Sequence, residues 1–152
     1  MNLFLDTSAI IKLYHNEEGT VNLVKFLKQS NSQNLILTIS ELAEIEFRSA
    51  FLKRVRTKEI KINIVKEVFS DFDKDLNFIN VVEIDRTIKE KAIELLNEHA
   101  IVNSLKTLDS LQLASAIIFN QNLSFDYFIA SDQKLLEIAR LYFKTYDPIK
   151  GI

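Results

Sequence analysis

Four acidic residues stand at positions where an acid is a poor structural choice. Asp6 directly follows the apolar run Leu3–Leu5, and Asp132 follows a second apolar run near the other end of the chain. Glu46 and Asp109 fall within helical patterns, on faces that are otherwise apolar. Carboxylates brought together from remote parts of a chain repel one another and lose hydration, and a shared cation compensates for both costs. These four acids therefore indicate a metal site and metal-dependent chemistry.

The elements that must position these acids are short strands and helices. Short apolar runs alternate with helical patterns, which is typical of a parallel sheet covered by helices on both faces. Because ligands bind outside the carboxyl ends of such strands, Asp6 and Asp132 are expected at the same edge of the sheet. The predicted strands are Leu3–Leu5, Leu35–Thr38, Tyr127–Ala130 and Phe143–Tyr146, with a less regular one in Phe78–Ile84, and the predicted polar loops are 16–19, 29–34 and 120–124.

A helical wheel distinguishes Glu46 from the other acids of its helix. With Leu42 at zero and about 100° per residue, Glu46 falls near ~40°, on the apolar side. By contrast, Glu44 and Glu41 fall near ~200° and ~260°, on the polar side. Asp109 lies in the first turn of a stretch that is apolar almost all round, so its helix should be buried. Both Glu46 and Asp109 are thus predicted to face inward.

Capping side chains predict where the helices begin. Because Ser, Thr and Asp favour the position before a helix, they mark candidate starts at Ser8 or Thr7, Thr20, Ser40, Thr57, Asp85, Thr107 and Asp132. The stretch Thr57–Asp73 carries apolar residues at helical spacing among many charges. It predicts an amphipathic helix on the outside of the domain, suited to an arm or an interface.

Each acid also has an ordinary structural explanation. Asp6 and Asp132 could be N-caps of the helices that follow them. Glu46 would be exposed if its helix were rolled differently, and Asp109 could interact with the N-terminus of its own helix. All four explanations would have to hold together by coincidence, which favours the metal site.

Composition narrows the class of protein and the kind of metal. The 152 residues fit a single domain, residues 1–152, and the absence of Cys excludes disulfides and thiolate ligands. The only histidines are His15 and His99, which disfavours a His-based zinc centre. Carboxylates are hard oxygen ligands, so the expected ion is Mg²⁺ or Mn²⁺. Without a leader peptide or a membrane-length apolar run, we expect a cytoplasmic protein with no membrane partner.

Four short motifs occur in order along most of the chain. They are Leu5–Ala9 with Ile10–Tyr14 behind it, Ser40 with Glu46 six residues later, Leu108–Ala114, and Ile129–Leu136. In this order and at these spacings they resemble the motifs of PIN-domain nucleases, and among these the VapC-like toxins of bacterial and archaeal toxin–antitoxin pairs. The resemblance implies a PIN-like, three-layer α/β/α fold with a central, mostly parallel sheet of four or five strands flanked by helices.

The resemblance also implies an activity and a set of site residues. The activity is that of a metal-dependent endoribonuclease, which hydrolyses RNA phosphodiesters to leave 5′-phosphate and 3′-hydroxyl ends. Asp6, Glu46, Asp109 and Asp132 would be its metal ligands and catalytic acids. Asp6 and Asp109 would bind the main ion, Asp132 would complete the site, and Glu46 would hold a water molecule at the metal or a second ion.

Three hydroxyl residues would support the acids. Thr7 and Ser8 would orient Asp6 or the water, and Ser131 would act similarly beside Asp132. The chain departs from the family pattern at Gln112, where many members have His, and at Ala130, where many have a hydroxyl residue. The usual Gly before the final strand is also absent. None of these departures replaces an acid, so we expect activity to survive.

The resemblance also implies partners, and the residues leave alternative functions open. A toxin of this kind implies an RNA substrate, a small antitoxin that covers the acidic groove, and a homodimer. The alternatives are a catalytically weak PIN-like module that binds RNA or protein, and a receiver-like phospho-acceptor domain in signalling. A haloacid-dehalogenase-like phosphatase also has an acid after its first strand, but it needs a second Asp where this chain has Ser8. Transfer RNA, ribosomal RNA and messenger RNA all stay open as targets.

Overall fold

The fold is built on one parallel sheet. The computed structural model describes residues 1–30 and 34–152, so residues 31–33 of the predicted loop 29–34 lie outside the described part. The strands of the sheet are β1 (Asn2–Leu5), β2 (Ile36–Ser40), β3 (Asn80–Val82), β4 (Tyr127–Ile129) and β5 (Thr145–Tyr146). They lie in the order β3-β2-β1-β4-β5, and every pairing is parallel. The predicted strands are confirmed, and the least regular one is the short edge strand β3.

Helices cover both faces of this sheet. They are α1 (Thr7–Ile10), α2 (Thr20–Ser30), α3 (Glu41–Arg56), α4 (Ile62–Asp75), α5 (Arg86–Asn103), α6 (Thr107–Asn120) and α7 (Gln133–Ala139). Side chains alternate along β1, so Phe4 packs into one core with α5, α6 and α7. Leu3 and Leu5 pack into a second core with α1 to α4. The predicted three-layer α/β/α architecture is therefore confirmed.

Capping side chains begin some helices as predicted and not others. Ser40 accepts a hydrogen bond from the Leu42 N–H at the start of α3, and Asp85 accepts one from the Ile88 N–H at the start of α5. Thr107 was predicted as a cap, but it is the first residue of α6, and the preceding residue makes no side-chain capping bond. At this end of α6 the Ser110 N–H donates a hydrogen bond to the Lys106 carbonyl at 2.8 Å.

The predicted amphipathic helix Thr57–Asp73 is wrong at its start. Helix α3 continues to Arg56, and the Thr57 N–H closes it by donating to the carbonyls of Lys53 and Val55. Lys58 then has φ +62°, a left-handed conformation that ends a helix. Helix α4 begins only at Ile62. The apolar spacing across this region predicted one continuous element because it carries no information about a left-handed residue.

Helix α4 has one buried face and one exposed face, as an amphipathic helix should. Val65 and Phe72 are fully buried, and the Phe72 ring stacks on Phe47 of α3 with ring centroids 4.0 Å apart. Ile62 and Ile64 are about half exposed on the outer side. Helix α4 thus belongs to the outer layer, and it packs against α3 through this ring contact.

The strand order brings the first and last predicted acids to one edge. Strands β1 and β4 are neighbours, with Leu5 in register with Ile129. The Asp6 N–H extends this pairing by donating to the Ile129 carbonyl at 2.9 Å. Asp132 therefore leaves the sheet beside Asp6. Within the described part of the chain, no helix combines the length and the apolar character needed to cross a membrane.

Candidate active site

The four predicted acids line one open cleft at the carboxyl edge of the sheet. Asp6 follows β1, Asp132 follows β4, Glu46 lies on α3 and Asp109 lies in the first turn of α6. The cleft has a volume of about 370 Å³. Its other lining residues are Thr7, Ser8, Ile11, Ser49, Ala50, Lys53 and Leu108. Four separate segments of the chain therefore contribute carboxylates to the same space.

Asp6 is held by Ser8. Its Oδ2 accepts hydrogen bonds from the Ser8 backbone N–H at 3.0 Å and from the Ser8 hydroxyl at 2.6 Å. Asp6 is thus the N-cap of α1. The prediction of Ser8 or Thr7 as that cap is wrong, because both residues lie within α1 and the Asp6 carboxylate accepts the Ser8 N–H. The capping explanation and a place in the cleft both apply to Asp6.

Electrostatic repulsion is concentrated in this cleft. Burial raises the pKa of the Asp6 carboxyl to about 6, against the opposing effect of the Ser8 hydrogen bonds, and the charges of Glu46 and Asp109 add to the rise. Burial also raises the pKa of Asp109, with Asp132 and Glu46 raising it further and Lys106 lowering it. The carboxylates therefore sense one another's charge, which is the condition that a bound cation would relieve.

Glu46 is held by a small polar cluster that includes Thr7. The Thr7 hydroxyl donates to Glu46 Oε2. Of the two predicted partners of Thr7, Asp6 is therefore not the one it contacts, and its predicted role toward a water molecule stays a prediction. Gln112 Nε2 donates to Thr7 Oγ1 at 2.7 Å and to Glu46 Oε2 at 2.8 Å. The sequence prediction did not include Gln112 among the site residues. The available signal was an amide side chain three residues after Asp109 in an otherwise apolar helix.

Asp132 also combines a capping role with a place in the cleft. Its Oδ1 accepts hydrogen bonds from the backbone N–H groups of Lys134 and Leu135, at 2.8 and 3.0 Å, and so caps α7. The adjacent Ser131 contacts Ser8, because its N–H donates to the Ser8 hydroxyl at 2.9 Å. The Ser131 hydroxyl itself is buried and makes no hydrogen bond within the described residues. Ser8 thereby ties the end of β4 to Asp6.

Each carboxylate keeps at least one oxygen that makes no hydrogen bond to the described residues. These atoms are Oδ1 of Asp6, Oε1 of Glu46, Oδ2 of Asp132 and both carboxylate oxygens of Asp109. Such hard oxygen donors suit a divalent cation like Mg²⁺ or Mn²⁺. Across residues 1–30 and 34–152, however, no three Asp, Glu, His or Cys side chains are already gathered into a coordinating group. Side-chain rotation within the cleft would have to bring the unbonded oxygens together.

Lys53 is a second residue of the cleft that the sequence prediction did not include. It lines the same space as the acids. It lies seven residues after Glu46 on α3, which is two helical turns, so the two side chains share one face of the helix. That spacing was the signal in the sequence. A long basic side chain at the rim of an acidic cleft can attract a phosphate group.

The family of the chain follows from its sequence. The PIN domain sequence model matches residues 3–141, a span that includes all four acids. The chain belongs to the PIN domain family. No curated protein sequence matches this PIN domain, so the further comparison is between structures.

Several solved structures share this fold at low sequence identity. VapBC2 from Rickettsia felis, bound to a promoter DNA fragment, shares 16% identity over 97% of this PIN domain and 100% of that chain, with a TM-score of 0.64. VapC20 from Mycobacterium tuberculosis, a toxin that cleaves the sarcin-ricin loop, shares 14% over 90% and 94%, with a TM-score of 0.64. VapBC-1 from nontypeable Haemophilus influenzae shares 17% over 97% and 98%, with a TM-score of 0.63. Likeness at these identities establishes the fold of this PIN domain.

Proposed function

We propose that this PIN domain is a divalent-metal-dependent endoribonuclease and the toxin of a toxin–antitoxin pair. The observation that carries the proposal is the cleft itself, where Asp6, Glu46, Asp109 and Asp132 arrive from four segments of the chain. Burial and mutual repulsion raise the pKa values of Asp6 and Asp109. A chain gains no stability from such an arrangement, and perturbed carboxyls in a cleft are typical of functional sites.

The donor set fits Mg²⁺ or Mn²⁺. Asp6 and Asp109 would hold the main ion, Asp132 would complete its coordination, and Glu46 would hold a water molecule or a second ion. Their unbonded oxygens are hard donors, and neither Cys nor His lines the cleft to favour a softer metal. When bound, such an ion supplies neutralisation of phosphodiester charge and a lowered pKa for water.

The side chains of the cleft would perform the remaining tasks. Ser8 fixes the direction of the Asp6 carboxylate through two hydrogen bonds, and Thr7 fixes Glu46 through one. Ser131 links the end of β4 to this cluster through its backbone N–H. Lys53 would attract the phosphate of an RNA strand to the rim of the cleft. Together these residues would orient the reacting groups before cleavage.

The structural comparisons support the toxin part of the proposal. The similar folds are those of VapBC2, VapBC-1 and a VapC toxin that cleaves the sarcin-ricin loop. We therefore infer an RNA substrate and a small antitoxin partner for this protein, and we propose in addition that it forms a homodimer and acts in the cytoplasm. Exposed apolar residues on the outer face of α4, such as Ile62 and Ile64, are available for protein contacts.

Replacing Glu46 tests the proposed activity. Glu46→Gln is expected to lower Mg²⁺-dependent cleavage of RNA roughly 100-fold, because even groups that only orient a metal ligand contribute 10- to 100-fold. Glu44→Gln is the matched control, since Glu44 lies on the same helix but outside the cleft, and it should cleave like the wild type. The assay follows purified, nuclease-free protein on transfer, ribosomal and messenger RNA by gel electrophoresis, with Mg²⁺ or with EDTA. Equal cleavage by Glu46→Gln and wild type would contradict the proposed site.

A second candidate function is supported by the absence of a preformed coordinating group among the described residues. On this alternative the protein is a catalytically weak PIN-like module that binds RNA or protein. The same assay separates the two. Binding of RNA by the wild type without metal-dependent cleavage would favour the binding module.

Two substitutions at Asp132 separate its capping role from its proposed role in the cleft. Asp132→Ser keeps a good N-cap and removes the carboxylate, whereas Asp132→Ala removes both. We expect both variants to lose cleavage by roughly 100-fold. Only Asp132→Ala should also lose stability, by about 1 kcal/mol in the free energy of unfolding measured with urea. Full activity of Asp132→Ser would show that Asp132 acts as a cap alone.

A further inference from the structure

Gln112 has properties that the packing of its helix does not explain. It lies on α6 among apolar residues and is only 1% exposed. Its Oε1 is buried and makes no hydrogen bond within the described residues. Leaving a buried acceptor unpaired is costly. The side chain is therefore held in this orientation by what its other end contacts.

The other end of Gln112 closes a triangle of hydrogen bonds. Nε2 donates to Thr7 Oγ1 at 2.7 Å and to Glu46 Oε2 at 2.8 Å, and the Thr7 hydroxyl donates to the same Glu46 oxygen. The amide group has two hydrogens and the hydroxyl has one, so every hydrogen in the triangle is used. The reverse orientation of the amide would place Gln112 Oε1 against Glu46 Oε2, so that two oxygen acceptors would face each other. The contacts therefore define which end of the amide faces Glu46.

We propose that Gln112 is a positioning residue that fixes Glu46 for the metal. Its amide and the Thr7 hydroxyl occupy Oε2 and leave Oε1 as the oxygen available to an ion. Glu46 lies on α3, Thr7 on α1 and Gln112 on α6, so the triangle also joins three helices at the point where they meet the cleft. Without the amide, Glu46 regains rotamers that turn Oε1 away from the other acids. This inference rests on the proposed function, because it concerns the same ion.

The test compares three single variants by calorimetric titration with Mn²⁺ in the absence of RNA. Gln112→Met keeps nearly the same length but has no donor, and it should bind Mn²⁺ roughly 10- to 100-fold more weakly than the wild type. Gln112→His offers an N–H donor again and should recover most of that affinity. Ser115→Ala is the matched control: Ser115 is buried on the same helix and bonds Ser40 and the Leu111 carbonyl, away from the carboxylates. It should bind Mn²⁺ like the wild type.

A double substitution separates positioning from a general structural role. In a Glu46→Gln background, Gln112→Met should weaken Mn²⁺ binding no further, because Gln112 acts only through the Glu46 carboxylate. A further loss in that background, a loss in Ser115→Ala equal to that in Gln112→Met, or unchanged affinity in Gln112→Met would each overturn the role of Gln112. A wild-type protein that binds no Mn²⁺ would instead overturn the proposed function itself.

Discussion

Asp6→Asn is expected to lower RNA cleavage strongly and, in the absence of metal, to make the folded protein more stable. The loss of activity should be roughly 100-fold or more, since a ligand should contribute at least as much as a group that orients one. The gain in stability follows from burial of a charge. The pKa of Asp6 rises from 3.8 to about 6 on folding, which corresponds to a penalty of about 3 kcal/mol at neutral pH. Asn is neutral and can still accept the hydrogen bonds from Ser8.

The sign of this effect gives it a definite pH dependence. Well below pH 4 the Asp6 carboxyl is protonated in both the folded and the unfolded protein, so it costs nothing. Between about pH 4 and 6 the unfolded protein releases its proton while the folded protein retains it, and stability falls as the pH rises. Above pH 6 the full penalty remains. Urea unfolding in EDTA should therefore show Asp6→Asn gaining on the wild type from pH 4 to pH 7.

Bound metal should reverse the order of stability, so that the wild type becomes more stable than Asp6→Asn. An ion that binds only the folded wild type adds about 4.1 kcal/mol of stability when its concentration is about 1,000 times its dissociation constant, which exceeds the penalty at Asp6. Asp6→Asn should gain little from the same Mn²⁺. If Asp6→Asn is less stable than the wild type at pH 7 in EDTA, the burial penalty at Asp6 is wrong. If it cleaves RNA as fast as the wild type, the role of Asp6 as a metal ligand is wrong.

Phe72→Ala should produce the largest loss of stability. Phe72 is a fully buried residue of α4. Its ring stacks on Phe47 of α3, with ring centroids 4.0 Å apart. It also meets the Tyr14 ring edge-on, with centroids 5.5 Å apart. Truncation of a buried Phe removes apolar contacts and leaves a cavity, which typically costs 3–5 kcal/mol. The free energy of unfolding, measured with urea at neutral pH, should fall by about that amount.

A control on the same helix makes this prediction specific. Ile64 is 47% exposed, so Ile64→Ala should change the free energy of unfolding by about 0.5 kcal/mol or less. No residue of α4 lines the cleft, so Phe72→Ala should still cleave RNA at temperatures where it stays folded. A change below about 1 kcal/mol for Phe72→Ala would mean that α4 does not pack on α3 in this way.

Sequence patterns predicted the sheet well because its determinants are local. The apolar runs around Leu3–Leu5 and Tyr127–Ala130 mark strands buried on both faces, and an acid directly after each run must lie at the carboxyl edge. That Asp6 and Asp132 would also cap helices is equally local, and both descriptions hold at once. A capping carboxylate uses one oxygen and leaves the other unbonded, so the two explanations were never exclusive.

Features that depend on three elements meeting could not be predicted in the same way. The wheel shows that Glu46 faces inward, but its contacts with Thr7 and Gln112 depend on how α1, α3 and α6 are rotated against one another. The start of α4 depends on the left-handed backbone at Lys58, a residue type without a turn preference. The contacts of Glu46 and the start of α4 are thus set by tertiary packing and backbone geometry, which local sequence propensity does not describe.

The most direct test of the account is the position of a bound ion. Crystals soaked in MnCl₂ should give an anomalous difference peak in the cleft, within coordination distance of the carboxylates of Asp6 and Asp109 and near Asp132 and Glu46. The same soak of Asp6→Asn crystals should give a much weaker peak. A wild-type cleft without a peak, at a Mn²⁺ concentration that supports cleavage, would contradict the claim that these acids hold the metal.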